Sequence, residues 1–300
     1  MPQINSIGLI GLGLLGQALA QRLAGAGFGV VGYDIDPAKT SALVKLGGRA
    51  AASIAEVASQ GGPIILAVFS TDQVEEVIER DLLPALGDGS QRIVLSASTC
   101  DPDRIATLAE RVTPRGLRLL ETPISGSSGQ VARGESVGLI GGDPQTAAEV
   151  EPVLRALFPS YFLIGKVGDG GRAKLAVNLI LGLNRLALAE GLTFAERLGL
   201  DPAAFLKVVR TSAAYSQVMD VKGGKMVGGD FAPEGRITQH LKDVHLMQEQ
   251  AERIGQQLPA LAVHADVLEA CVRQGEGDLD NCGIIQEIRR RRTQDANETK

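Results

Sequence analysis

Several protein classes are closed to this 300-residue chain by what it has little of. Cysteine occurs at Cys100, Cys271 and Cys282 only, an odd and widely spaced set without CxxC or Cys/His ligand spacing. Neither a disulfide framework nor a zinc site is expected, and the three read as reduced thiols in a cytoplasmic protein. Positive charge is not in excess: the formal net charge is −5, and the one basic run, Arg289 to Arg292, reads as a solvated end. Nucleic acid therefore finds no electrostatic footprint here. Histidine is scarce, and His240, His245 and His264 show no ligand spacing with one another, so they read as surface or helix-packing residues and no metal is expected. An uninterrupted apolar run of bilayer length is missing, because Lys174, Asn178, Asn184, Arg185 and Glu190 recur along the longest candidate. No membrane partner is expected. The N-terminal MPQINSIGLIG has no basic segment ahead of its apolar run and leads straight into glycines, so it is not read as a signal peptide. Tandem repeats and low-complexity segments are absent, apart from the charged tail after Arg289, which is expected to fray.

What is present fits an ordinary globular protein of two domains, with 44% hydrophobic and 22% charged residues. Ser6 to Ile10 is a short apolar strand that runs into Gly11-Leu12-Gly13-Leu14-Leu15-Gly16, followed by a helical pattern ending near Gly25 and Gly27. Val30 to Tyr33 is the next strand, closed by Asp34. Strand, GxGxxG turn, helix, strand and acid follow in the order and distances of a dinucleotide-binding unit. Gly11 permits the tight turn, Gly13 lets a pyrophosphate approach the backbone, and Gly16 lets the helix sit close to the sheet. Free N–H groups at the helix start would then hold the phosphates. Asp34 is placed to accept hydrogen bonds from ribose hydroxyls and would repel a 2′-phosphate. No arginine follows immediately, so NAD is expected ahead of NADP, with NADP still possible. A glycine-rich turn with no ligand is the plain alternative; the strand before it and the acid after it weigh against that.

Further strands are expected at Ile64 to Val68, Ile93 to Ser96, Leu117 to Glu121 and Val137 to Ile140. Asp-Pro pairs at Asp36, Asp101, Asp143 and Asp201 punctuate the chain as helix starts, the aspartate capping and the proline taking the first helical position. Short apolar strands alternating with helices argue a mostly parallel, doubly wound α/β sheet. Ligands in such sheets gather beyond the carboxyl ends of the strands, which places Phe69, Ser70, Thr71, Ser98, Thr99 and the stretch from Thr122 to Gly126 near the cofactor.

Two polar stretches carry candidate chemistry. In ETPISGSSGQVARG, the small residues Ser125, Gly126 and Ser127 offer backbone N–H groups that can converge on an anion such as a substrate carboxylate; a flexible surface loop explains them equally well. The stretch GDGGRAKLAVN opens a long proline-free helix reaching Arg197, with Leu175, Leu179, Leu183 and Leu186 at helical spacing and apolar residues on other faces. A helix apolar on most sides belongs inside a protein. Its first turns place Lys174 and Asn178 four residues apart on one face. An ammonium among Leu175, Ala176 and Val177 is a candidate for a depressed pKa and proton exchange near neutrality, although most helical lysines simply reach water.

Together, GLIGLGLLG, SASTCDP, PISGSSGQVARG, GDGGRAKLAVN and HLKDVHL occur in an order that resembles the β-hydroxyacid dehydrogenases, among them 3-hydroxyisobutyrate dehydrogenase and tartronate semialdehyde reductase. The resemblance runs from Ile4 to about Ile288. It implies a Rossmann-type NAD-binding domain over residues 1–165 and an all-helical substrate and oligomerisation domain over residues 166–290, joined by the long helix, with residues 291–300 a flexible tail. It further implies hydride exchange between nicotinamide and a small β-hydroxy acid or semialdehyde acid, with Lys174 as acid/base and Asn178 orienting it or the substrate. Ser125, Gly126 and Ser127 would hold the substrate carboxylate, Thr99 would touch substrate and nicotinamide, and Lys242 would reach both from the second domain. Homodimers or homotetramers through the helical part are implied as well. Three positions depart from the family pattern: Ser127 replaces a usual glycine, Ser96 a frequent aspartate and Ser70 a common proline, so the pocket walls are this chain's own. Alternatives within the family are tartronate or succinic semialdehyde reductases and sugar-acid dehydrogenases; imine reductases generally lack the lysine. A non-catalytic dinucleotide-binding scaffold or sensor would need Gly11, Gly13, Gly16 and Asp34 without Lys174 or the serine loop.

Overall fold

A computed structural model describes residues 4–87 and 90–292 and divides the chain into two units, one ending at Leu175 and one beginning at Ala176. The first unit holds the strands Ser6–Ile10 (β1), Gly29–Tyr33 (β2), Arg49–Ala50 (β3), Ile64–Leu66 (β4), Arg92–Ser96 (β5), Leu117–Glu121 (β6), Ile124–Ser125 (β7), Val137–Gly141 (β8) and Ser160–Gly165 (β9). They form one sheet in the order β3-β2-β1-β4-β5-β6-β8-β7, with β9 also paired to β8. From β3 to β6 every pairing is parallel. Strand direction alternates the buried side chains between two cores: Ile7, Leu9, Ile65, Ile93 and Leu95 enter one, while Ile10, Ile64, Leu66 and Val94 enter the other. Both faces are covered by helices, which is why these strands read as continuous apolar runs.

The chain crosses from one side of β1 to the other between β3 and β4, so the switch point of the sheet lies between β1 and β4. Crevices at such points are where doubly wound sheets bind ligands. Two details depart from the sequence reading. β4 stops at Leu66 instead of Val68, because the Val68 N–H donates to Ser98 Oγ at 3.1 Å rather than to a neighbouring strand. β8 pairs antiparallel with β6 and β7, so the sheet is mostly, not wholly, parallel. All four Asp-Pro aspartates cap as expected, their carboxylates accepting from Ala38, Asp103 and Arg104, Thr146, and Ala204 N–H groups.

The long helix, Asp169–Arg197, begins in the first unit and continues into the second. By length and composition alone it is apolar enough to cross a membrane, contrary to the sequence expectation, yet Lys174, Asn178 and Arg185 on it are buried within the chain. Nor is it enclosed on all sides: Ile180 and Phe194 are exposed while Leu188 and Leu192 are buried. In the second unit it is followed by the helices Pro202–Arg210, Ile237–Arg253, Pro259–Arg273 and Ile284–Arg290, and no strand occurs there among the described residues. Buried Lys222 donates to Asp280 at 2.9 Å, and Asp280 also accepts from the Glu234 and Cys282 N–H groups, pinning the two segments that flank the last helices. The expected solvated end is instead bonded down: Arg289 pairs with Glu196, Arg290 with Glu276 and Arg291 with Asp266. Residues 293–300 of the expected tail lie outside the described residues.

Candidate active site

At the carboxyl end of β1 the glycine turn has one workable geometry. Gly11 sits at φ +90°, and a Cβ there would lie 2.5 Å from the Ala67 carbonyl oxygen; at Gly16 it would lie 2.1 Å from the Gly11 carbonyl oxygen. Both positions are closed to any side chain. Gly13 differs, since a Cβ there would meet nothing within 4 Å. The helix Leu14–Gly25 that it opens has no side-chain cap. By contrast, the helices starting at Pro37, Ile54, Thr71, Pro102, Ser128 and Pro144 each begin behind an Asp or Ser that accepts from the first turn. A helix start with open donors and clear space before it suits a diphosphate, whose charge the helix dipole also favours.

Asp34 organises the same turn. Its carboxylate accepts from the Leu12 N–H at 2.7 Å and the Asp36 N–H at 2.9 Å, and Lys39 Nζ lies 3.3 Å away. A carboxylate has about four acceptor positions, so room for a ribose hydroxyl remains. These residues therefore fit a nicotinamide dinucleotide. Lys39, whose charge offsets that of Asp34, carries no motif in the sequence: it lies five residues past Asp34, within the next helix, not directly after β2.

Beyond β4 and β5, Ser98 Oγ donates to the Val68 carbonyl at 2.8 Å and accepts from its N–H, while Thr71 Oγ1 accepts from the Asp101 N–H at 2.9 Å. These bonds fix the loop carrying half-exposed Phe69 and the helix-capping Ser70 beside the loop carrying Thr99. After β6, Ser125 lies in β7, Gly126 takes φ +145°, and Ser127 caps the helix Ser128–Arg133. The Ser127 hydroxyl accepts from the Gln130 N–H at 3.3 Å and its own N–H donates to Gln130 Oε1 at 2.9 Å. The loop is thus ordered by a reciprocal cap, and one of the three N–H groups expected to converge on an anion already has an acceptor.

Lys174 is 7% exposed and Asn178 6% exposed on the long helix, so neither is the solvated helical residue that the plain alternative required. The helix start itself is held by Glu121, the last residue of β6, whose carboxylate accepts from the Gly168 and Gly171 N–H groups. Burial, opposed by those two bonds and by Arg172, pushes the Glu121 carboxyl up to about 7. In the second unit, Asn178 Nδ2 donates to Asp243 Oδ2 at 2.9 Å and Lys242 Nζ lies 2.9 Å from Asp243 Oδ1. Two of the candidate residues are therefore joined through a third, Asp243, whose one signal in the sequence is the Lys-Asp pair in HLKDVHL. His240 and His264, distant in sequence, meet at 3.0 Å between Nε2 atoms, and burial with the charge of Arg185 lowers His264 to about 4. Among the described residues no three His, Cys, Asp or Glu side chains are grouped to hold a metal ion.

Residues 6–165 match the family model described as the NAD binding domain of 6-phosphogluconate dehydrogenase. Residues 168–288 match that of the NAD-binding region of NADP-dependent 3-hydroxyisobutyrate dehydrogenase. The chain is 28% identical to 2-hydroxy-3-oxopropionate reductase of Escherichia coli K12, over 94% of this chain and 96% of that protein. It is also 28% identical to L-threonate dehydrogenase of Cupriavidus necator, over 94% and 95% of the two chains. Its structure resembles the crystal structure of 3-hydroxyisobutyrate dehydrogenase from Salmonella typhimurium with a TM-score of 0.85 at 25% identity, covering 94% of this chain and 99% of the other.

Proposed function

The chain belongs to the β-hydroxyacid dehydrogenase family of NAD(P)-dependent oxidoreductases, and from that premise we propose that Lys174 is the acid/base for interconverting a small β-hydroxy acid and its carbonyl acid. The observation that carries this reading is a lysine only 7% exposed, in the second turn of a helix whose opening N–H groups are clamped by Glu121 at the end of β6, shortly before the serine loop. A buried amine in that position has a task beyond solubility.

When bound, the nicotinamide supplies hydride exchange with the substrate's carbinol carbon. In the oxidative direction the neutral Lys174 amine takes the hydroxyl proton as the carbonyl forms; in the reductive direction the ammonium returns it to the oxygen. Ser125, Gly126 and Ser127 hold the substrate carboxylate, which fixes the reacting carbon toward the cofactor, and Thr99 supports both molecules. Asn178 orients the amine or the substrate, and Lys242 contacts substrate and cofactor. The protein's share is orientation and proton transfer. Gly11 to Gly16, Phe69 and Ser70 bind the cofactor, with Asp34 favouring NAD. The exposed positions Ala176, Ile180, Ala187 and Phe194 on the long helix, with Leu198 just past its end, form an unburied stripe, which supports a homodimer or homotetramer built through the helical unit. A cytoplasmic location accords with the buried, unbridged thiols.

The test is a spectrophotometric screen with NAD and NADP against 3-hydroxyisobutyrate and L-threonate, and with their reduced forms against 2-hydroxy-3-oxopropionate and succinic semialdehyde, followed by Lys174→Ala. Turnover in the variant should fall by about two to four orders of magnitude with cofactor affinity nearly unchanged. A Lys174→Ala enzyme close to wild type in turnover would overturn the assignment.

A further inference from the structure

Glu121 stands where two parts of the candidate site meet. It ends β6, it pairs with Gly141 of β8, and Thr122 after it is bound through its N–H to the Ser96 carbonyl at 2.8 Å. The serine loop starts four residues after Glu121 in sequence, at Ser125. The carboxylate, 3% exposed, turns the other way and accepts from Gly168 and, at 3.1 Å, from Gly171, the two N–H groups at the opening of the long helix. Gly171 is three residues before Lys174 and therefore on the same side of the helix. The contact is tight by construction: a Cβ at Gly171 would lie 2.8 Å from Glu121 Oε1, and one at Gly170 2.8 Å from the Leu139 carbonyl oxygen.

We infer that Glu121 is a positioning residue for the proposed reaction, its two carboxylate oxygens fixing the depth at which the helix start seats against the sheet and hence where Lys174 presents its amine. The inference rests on Lys174 being the acid/base. Both oxygens must accept, because both partners are N–H donors. Protonation relieves the burial of charge but turns one acceptor into a hydroxyl, so one of the two holds is given up. The charged groups that act on it are Asp169 and Arg172 on the helix, and Arg172 is bound in turn to Asp103 of the helix Pro102–Val112 at 2.6 Å.

The pH dependence separates this role from that of Lys174. In the reducing direction a protonated lysine is the acid, so Lys174 alone would leave turnover flat toward low pH. Titration of Glu121 near 7 instead produces an acid limb in kcat there. Glu121→Gln keeps the shape but offers one acceptor and one donor to two N–H groups; kcat should drop about tenfold, the limb should vanish, and the dissociation constant for NAD, read by nucleotide fluorescence, should stay within about twofold. Glu121→Asp keeps two acceptors on a shorter arm and should retain the limb with an intermediate kcat. A folded Glu121→Gln enzyme with wild-type kcat and an unchanged limb overturns the inference. Should that variant not fold, a wild-type profile without a limb between pH 6 and 8 overturns it equally. Loss of turnover in Lys174→Ala beside an unaffected Glu121→Gln would sink this role alone, whereas an active Lys174→Ala enzyme would sink the assignment beneath it.

Discussion

Two helices in the first unit begin among glycines, and the chain treats them in opposite ways. The start at Gly13 is left open, with no cap and no atom within 4 Å of a would-be Cβ. The start at Gly168 to Gly171 is sealed by a buried carboxylate from the chain itself. Both exploit the unsatisfied N–H groups and positive pole of a helix N-terminus. One reserves them for an anion that arrives, while the other spends them on architecture. Glycine-rich helix openings are therefore not equivalent signals: what distinguishes them is whether an acid of the same chain is already folded onto the donors.

Substitutions at the two openings should separate stability from binding. The largest effect is expected for Gly170→Ala, whose methyl would collide with the Leu139 carbonyl; unfolding of the cofactor-free protein by heat or denaturant should show a loss of about 1–3 kcal/mol. Gly13→Ala should cost less, about 0.5–1 kcal/mol, since alanine is the poorer N-cap but meets no clash there. The methyl there would occupy space the diphosphate needs, so the NAD dissociation constant should rise about tenfold, or ~1.4 kcal/mol, in a binding titration. Equal losses of stability in the two variants would erase the distinction.

Acid and base should also act oppositely on the two units. Glu121 has a folded pKa raised from 4.5 to about 7, so the native state holds a proton that the unfolded chain has released; its contribution is most favourable below pH 4.5 and is lost as pH rises to about 7. His264 has a folded pKa lowered from 6.5 to about 4, so the unfolded chain takes the proton first; its contribution is intact above pH 6.5 and lost as pH falls toward 4. Hydrogen exchange followed between pH 4.5 and 7 should show protection falling with pH around β6 and rising with pH along Pro259–Arg273. The same sign in both regions would refute the pair. The smallest effect belongs to the cofactor's ribose end: Asp34→Ser should narrow the preference for NAD over NADP, and Lys39→Gln should weaken NADP by only a few-fold, because the lysine is partly exposed and screened. Steady-state ratios with both cofactors decide it.

Much of this was legible in the sequence where one local rule acts alone. The strands at Ser6, Leu117 and Val137 announce themselves by apolar runs, the Asp-Pro caps by their chemistry, and the turn from Gly11 to Gly16 by spacing. What escaped depends on a partner remote in sequence. β3 and β7 are two residues long and exist only because a neighbour offers its edge, and β9, with Phe162, Leu163 and Ile164 exposed, has no clean alternation to read. The seal formed by Glu121 spans 47 residues to Gly168, and the link from Asn178 to Asp243 spans 65. Neither periodicity nor motif order carries such pairings. The arginines after Ile288 read as a free end because their acids are remote in sequence, Glu196 and Asp266 on other helices and Glu276 in the turn after Pro259–Arg273.

The cysteines hold a practical consequence. All three are buried and unbridged, and desolvation pushes the Cys271 and Cys282 thiols up to about 12. Thiolate, the species that alkylating reagents and peroxide attack, is suppressed at both. The native chain thus offers a quiet background for maleimide chemistry, and one cysteine engineered onto an exposed position such as Ala55 or Ala148 could carry a fluorophore or spin label without first stripping out the natural three.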